Sequence, residues 1–178
     1  MRRPITCAVL IGALSGLSLG SVDASTVTEE GPSMATLVAG AERICEVEIL
    51  DATPVMLPDG TIETRYSFST VTPIKGTMAS IQEVRIPGGQ VAGKGLLLPG
   101  MPDLQVGDRN ILFLSEPSNQ KQWRMPVGME AGAMKVQPST VAGAARVLRH
   151  TSCEEGHVEA EDYDALLAEI FAEVQRQG

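Results

Sequence analysis

The chain is short of the side chains on which most enzymatic chemistry depends. Its 178 residues include one Trp, two Tyr and three Phe, with two His and three Cys. No serine elbow, no His-Glu-x-x-His pattern and no cysteine–histidine nucleophile pair at a recognisable spacing occurs, which excludes the common hydrolase and zinc-protease signatures. Sugar sites favour aromatic platforms, and Trp123 stands alone, its expected role being to pack on the domain. A pair of carboxylates distant in the chain, acting as a small secreted hydrolase, stays open as an alternative. Basic residues are outnumbered, 14 Lys and Arg against 22 Asp and Glu, for a formal charge of −8. An acidic surface repels phosphate backbones and anionic lipid, so nucleic acid is not an expected partner. Beyond the N-terminus no run is long and apolar enough for a transmembrane helix.

The N-terminus reads as an export signal. Arg2 and Arg3 precede an apolar stretch, Ala8 to Gly20, and Val22-Asp23-Ala24 offers small residues to a signal peptidase. Residues 1–24 are therefore expected to be removed and 25–32 to form a loose leader. Residues 33–178 then form one domain of ordinary size, periplasmic or secreted. Two cysteines survive, Cys45 and Cys153. In an oxidising compartment they form a possible disulfide, while strand parity puts Cys45 on a buried face, where a free thiol acts as a small hydrophobe.

Patterning then predicts mainly β structure with flanking helices. Ser33 caps a short helix with Met34, Leu37, Val38 and Ala41 on one face. Strands are expected at 44–50, with Glu46 and Glu48 outward, and at 61–72, entered through an Asp59-Gly60 hairpin turn. In the second strand Ile62, Thr64, Tyr66 and Phe68 alternate with Glu63, Arg65 and Ser67. A third strand covers 81–86, and 110–114 is apolar on both faces, as a central strand should be. Residues 123–127 and 133–137 read as a final hairpin, and 139–150 carries a weak helical pattern. Tyr163, Leu166, Leu167, Ile170, Phe171 and Val174 mark an amphipathic helix, placed at 161–176.

Two stretches hold candidate sites. Gly88, Gly89, Val91, Gly93 and Lys94 lie in a glycine-rich excursion that imitates a phosphate loop by spacing. Gly95 stands where Ser or Thr must hold magnesium, and no helix follows, so the phosphate reading fails. The excursion reads as a loop over one end of the sheet, its Leu96-Leu97-Leu98 run expected to be buried. It is also where a binding surface would sit, since loops carry function on rigid scaffolds. The other stretch brings together His150, Cys153 and His157, residue types that bind zinc or copper; this metal reading competes with disulfide use of Cys153. No cofactor is expected.

The order Tyr66-Ser67-Phe68, Ile74-Lys75-Gly76, Val84-Arg85-Ile86-Pro87-Gly88-Gly89-Gln90-Val91, Gly107-Asp108 and Leu112-Phe113-Leu114 resembles a group of uncharacterised exported bacterial proteins. They share a strand, Lys-Gly, Pro-Gly-Gly, Leu-Phe-Leu layout over about residues 34–137. More distantly, the layout is similar to netrin-like modules and tissue inhibitors of metalloproteinases. That resemblance implies a small OB-like β-barrel with a covering helix, and a secreted protease as partner. Such inhibitors chelate zinc through a mature N-terminal cysteine; this chain begins near Ser25 and has none. The resulting expectation is an exported, non-catalytic binding module of the cell envelope.

Overall fold

A computed structural model describes residues 31–138, 145–150 and 158–178. The expected export signal at 1–24, most of the expected leader, and Cys153 and His157 lie outside the described residues.

The described chain is mainly β. Helix α1 (Met34–Gly40) leads into β1 (Arg43–Met56), β2 (Ile62–Lys75) and β3 (Ile81–Pro87). A small hairpin, β4 (Gly89–Val91) and β5 (Lys94–Leu96), precedes β6 (Arg109–Leu114), and β7 (Ala133–Gln137), β8 (Arg146–His150), β9 (Val158–Asp162) and α2 (Tyr163–Gln177) complete it. Seven strands form one sheet in the order β3-β2-β1-β6-β7-β8-β9, every pairing antiparallel. Beyond this ladder, the segment 123–126 bridges Arg85 of β3 in parallel and Leu114 of β6 in antiparallel sense.

Both faces of the middle of the sheet are buried, as the Ile-Leu-Phe-Leu run of β6 requires. Ile111 and Phe113 point to one face, where Leu37 and Val38 of α1 and Leu166 and Ile170 of α2 cover them. Leu112 and Leu114 point to the other, with Cys45, Val47, Phe68, Val84, Ile86 and Leu104. Helices therefore seal the first face, while on the second Phe68 of β2, Val84 and Ile86 of β3 and Leu104 of the following loop pack together. The caps follow the sequence: Ser33 accepts from the Thr36 amide at 3.2 Å, and Asp162 accepts from the Ala165 amide at 3.0 Å. Each satisfies one orphan donor of a helix start.

Several expectations need correction. β1 runs on through Pro54 to Met56, paired with β2 across three register shifts. The second helix starts at Tyr163, because Glu161 and Asp162 belong to β9 and its cap. Residues 123–127 do not pair with 133–137. A 3-10 turn, Met129–Gly132, separates them, and β7 pairs with β6 and β8 instead. The weak helical pattern ends in strand β8; 139–144 lie outside the described residues. Leu97 is 89% exposed rather than buried. Glu46 and Glu63, read as solvated by alternation, are buried. Alternation names a face but not its environment, and here α2 and the Trp123 segment cover those faces.

Candidate functional site

On the helix-covered face the buried carboxylate is fully committed. Glu46 has no exposed surface. It accepts from Arg109 at 2.5 Å on one oxygen, and from Thr72 at 2.9 Å and Tyr163 at 3.0 Å on the other. A buried carboxylate is tolerated when its lone pairs are filled in this way. Burial raises the Tyr163 pKa, and the hydrogen bond to the Glu46 carboxylate raises it further. These contacts tie β1, β2, β6 and α2 together. The group is a structural lock.

Glu63 is a second filled carboxylate. Arg65 donates to it at 3.0 Å and the Trp123 indole at 2.7 Å. Burial works to raise its pKa, but these two hydrogen bonds and the guanidiniums of Arg65 and Arg85 outweigh it, leaving the carboxyl lowered. Lys121 sits 4.6 Å from the Trp123 ring centroid and reaches Asp59 at 2.6 Å, so the tryptophan is held from both sides and does pack on the sheet.

The loop-covered face is different. Two clefts open on it, separated by a lip formed by Pro102 and Asp103, which line both. The first, of about 290 Å³, lies between Tyr66 of β2, Ile86 and Gly88-Gly89 after β3, and Leu96 to Leu98. Tyr66 stacks on Phe68 at 5.9 Å between centroids. Burial, and then the charge of Asp103, raise the Tyr66 pKa. The second, of about 240 Å³, runs over Asn110, Ala133, Lys135, Leu148 and His150 and is roofed by Leu104. Loop residues 100–104 are anchored where the Glu130 amide donates to the Gly100 carbonyl at 2.9 Å.

The predicted site residues fall around these clefts unevenly. Gly88 and Gly89 line the first cleft. Gly89 has φ +122°, and a Cβ there would stand 2.6 Å from the Thr64 hydroxyl. Only glycine fits, so that residue closes the crossover from β3 whatever else it does. Lys94 borders a shallower recess beside Asp59 and Thr61. Val91 is half-buried and Gly93, at φ +78°, turns the β4–β5 hairpin. The five residues thus share a hairpin but not a pocket. His150 lines the second cleft, with Nδ1 3.5 Å from a Glu130 oxygen. Its proposed co-ligands Cys153 and His157 are outside the described residues, among which no metal-ligand cluster occurs. Among the described residues Cys45 is a free thiol with no exposed surface, and burial pushes its pKa up to about 12; the possible disulfide to Cys153 falls outside them. Asn110, absent from the residues the pattern singles out, is a buried polar residue that lines the second cleft. Its signal was an amide heading an otherwise apolar central strand.

Compared with family models, with curated proteins and with solved structures, the chain matches none.

Proposed function

We propose that the protein is an exported, non-catalytic binding module of the cell envelope, with its ligand seated across the paired clefts. The observation that carries the reading is the pair itself: two recesses share one lip, Pro102–Asp103, on one sheet face. Binding sites are concave and mostly apolar, with few polar groups. The charged groups at the second cleft support binding over turnover, since Lys135 is held by Asp108 at 2.6 Å and His150 is turned toward Glu130. The glycine-rich hairpin contributes one wall, in keeping with a loop surface on a rigid sheet.

An OB-like barrel is the finer reading of the fold. If segment 123–126 counts as a short strand, its bridges to β3 and β6 make a ring of β1, β2, β3, that segment and β6. That is a small Greek-key-type barrel with β7–β9 as an extension. The resemblance to exported bacterial proteins and netrin-like modules supports the same proposal.

The test is amide-correlation NMR on the mature protein recovered from the periplasm, titrated separately with short peptides, cell-wall fragments and fatty acids. One class is expected to shift Tyr66, Asp103 and Leu148 together, on both sides of the lip. If no class does so, or if one is hydrolysed, the reading falls.

A further inference from the structure

The second cleft has an internal polarity that limits what it can hold. Asn110 of β6 is 3% exposed, and its side-chain nitrogen has no hydrogen-bond partner among the described residues. Leaving a buried donor unpaired is costly, so groups of this kind are normally satisfied by protein, water or ligand. Here the residue lines a cavity of about 240 Å³ whose apolar walls include Leu104, Ala133, Leu148 and Val158. The terminal torsion of asparagine is broad and two-fold. A half turn exchanges Nδ2 and Oδ1, so the floor offers either a donor or an acceptor to the space above it.

The charges around the cavity are unequal. Asp103 and Glu130 line it as carboxylates, the latter 3.5 Å from Nδ1 of His150, while the single lysine, Lys135, is already paired with Asp108. A ligand carboxylate would meet net negative charge in a partly desolvated recess and lose its hydration as well. An uncharged amide avoids both costs and matches the asparagine group for group. The size, below the about 300–1,000 Å³ of clefts that take drug-sized molecules, restricts the apolar body to a short branched chain.

We propose that the Asn110 cleft is a subsite for an aliphatic amide, with a leucine- or valine-sized body against Leu104 and Leu148 and the amide on Asn110. A positive charge is accepted at the rim beside Asp103 and Glu130, and a free carboxylate is rejected. This deepens the binding-module reading and rests on it.

The experiment follows the Asn110 side-chain NH2 resonances while the protein is titrated with isovaleramide, leucinamide or isovalerate. The two amides are expected to shift these resonances and to bind about tenfold or more tighter than isovalerate, a gap of about 1.4 kcal/mol. Asn110→Leu should abolish the amide preference while unfolding at the same or a higher temperature. Asn110→Asp serves as a second variant if the leucine form fails to fold, and is expected to weaken isovaleramide. Equal binding of isovalerate, or an amide preference surviving in Asn110→Leu, overturns the proposal. So does an NH2 signal that no fragment moves, which marks a water-filled recess. If the fragments fail while a ligand still shifts Tyr66, Asp103 and Leu148, only this subsite falls. If both experiments are silent, the binding-module reading falls with it.

Discussion

The two faces of β6 differ in how completely they are finished. On the helix side, Ile111 and Phe113 are covered by α1 and α2, and the nearby carboxylate of Glu46 has three donors. On the loop side, Leu112 is buried, yet the side-chain nitrogen of Asn110 has no partner among the described residues and the residue lines a cavity. A helix brings a continuous apolar stripe that fills the pleats. A loop with a lip covers only part of the surface and leaves recesses on both sides. One face serves stability, and the other has room for a ligand.

The largest test of this contrast is core truncation. Phe113→Ala is expected to cost about 4 kcal/mol, within the usual range for buried phenylalanine, and Leu104→Ala about 2 kcal/mol, because its side chain already borders a cavity. Urea unfolding of both variants measures the difference. Equal losses would mean the loop face is packed as tightly as the helix face.

Next comes the Glu46 lock. Arg109→Ala strands a buried carboxylate and is expected to cost about 2–3 kcal/mol, less than the about 3–5 of a fully buried pair because Arg109 itself is 46% exposed. Tyr163→Phe removes one of three donors and should cost about 1 kcal/mol. If the tyrosine variant proves the worse of the two, the hydroxyl and not the guanidinium holds the lock.

The acid limb of stability sharpens the picture at β2. Hydrogen bonds leave the folded-state pKa of Glu63 lowered, so its contribution is fully present above the unfolded carboxyl pKa, about 4.3. It is lost as pH falls through the folded value. Trp123→Phe removes the indole donor and narrows the gap between folded and unfolded pKa, so the variant should melt lower at neutral pH and lose less melting temperature on acidification. An unchanged acid limb would show that Arg65 alone sets the carboxyl.

Cys45 provides a smaller, kinetic check on the loop face. With its pKa raised to about 12, the thiol should resist alkylation at pH 8 and react only at the rate of unfolding. Labelling of native protein in a Cys153→Ser background would show that this face opens. Leu97→Ser at the exposed hairpin should change stability by less than about 0.5 kcal/mol; a larger loss would mean the hairpin packs on something in solution.

Much of the architecture was legible because it is local. Ser33 before Met34, Leu37 and Val38 specifies a capped helix, Asp59-Gly60 a hairpin, and Ile111 to Leu114 a strand buried on both sides. The α2 stripe was equally clear. The site was much less legible. Glu46 and Glu63 obey the same alternation as a solvated glutamate, and their donors Tyr163 and Trp123 lie 117 and 60 positions away. Asn110 had no local signature beyond its place in β6. Within the Leu96–Leu98 run Leu97 misled, since apolar composition does not say which residue is covered: its two neighbours are half-buried and it is exposed.

Most element types, the helix caps and the acidic, aromatic-poor character follow from neighbours within a few residues; the strand β8 and the partners of β7 do not. Tertiary structure alone decided which carboxylates were filled, which amide was left unpaired and where the recesses opened. Those outcomes depend on contacts closed over tens of residues, where burial and hydrogen-bond satisfaction are set by whatever the fold happens to bring alongside.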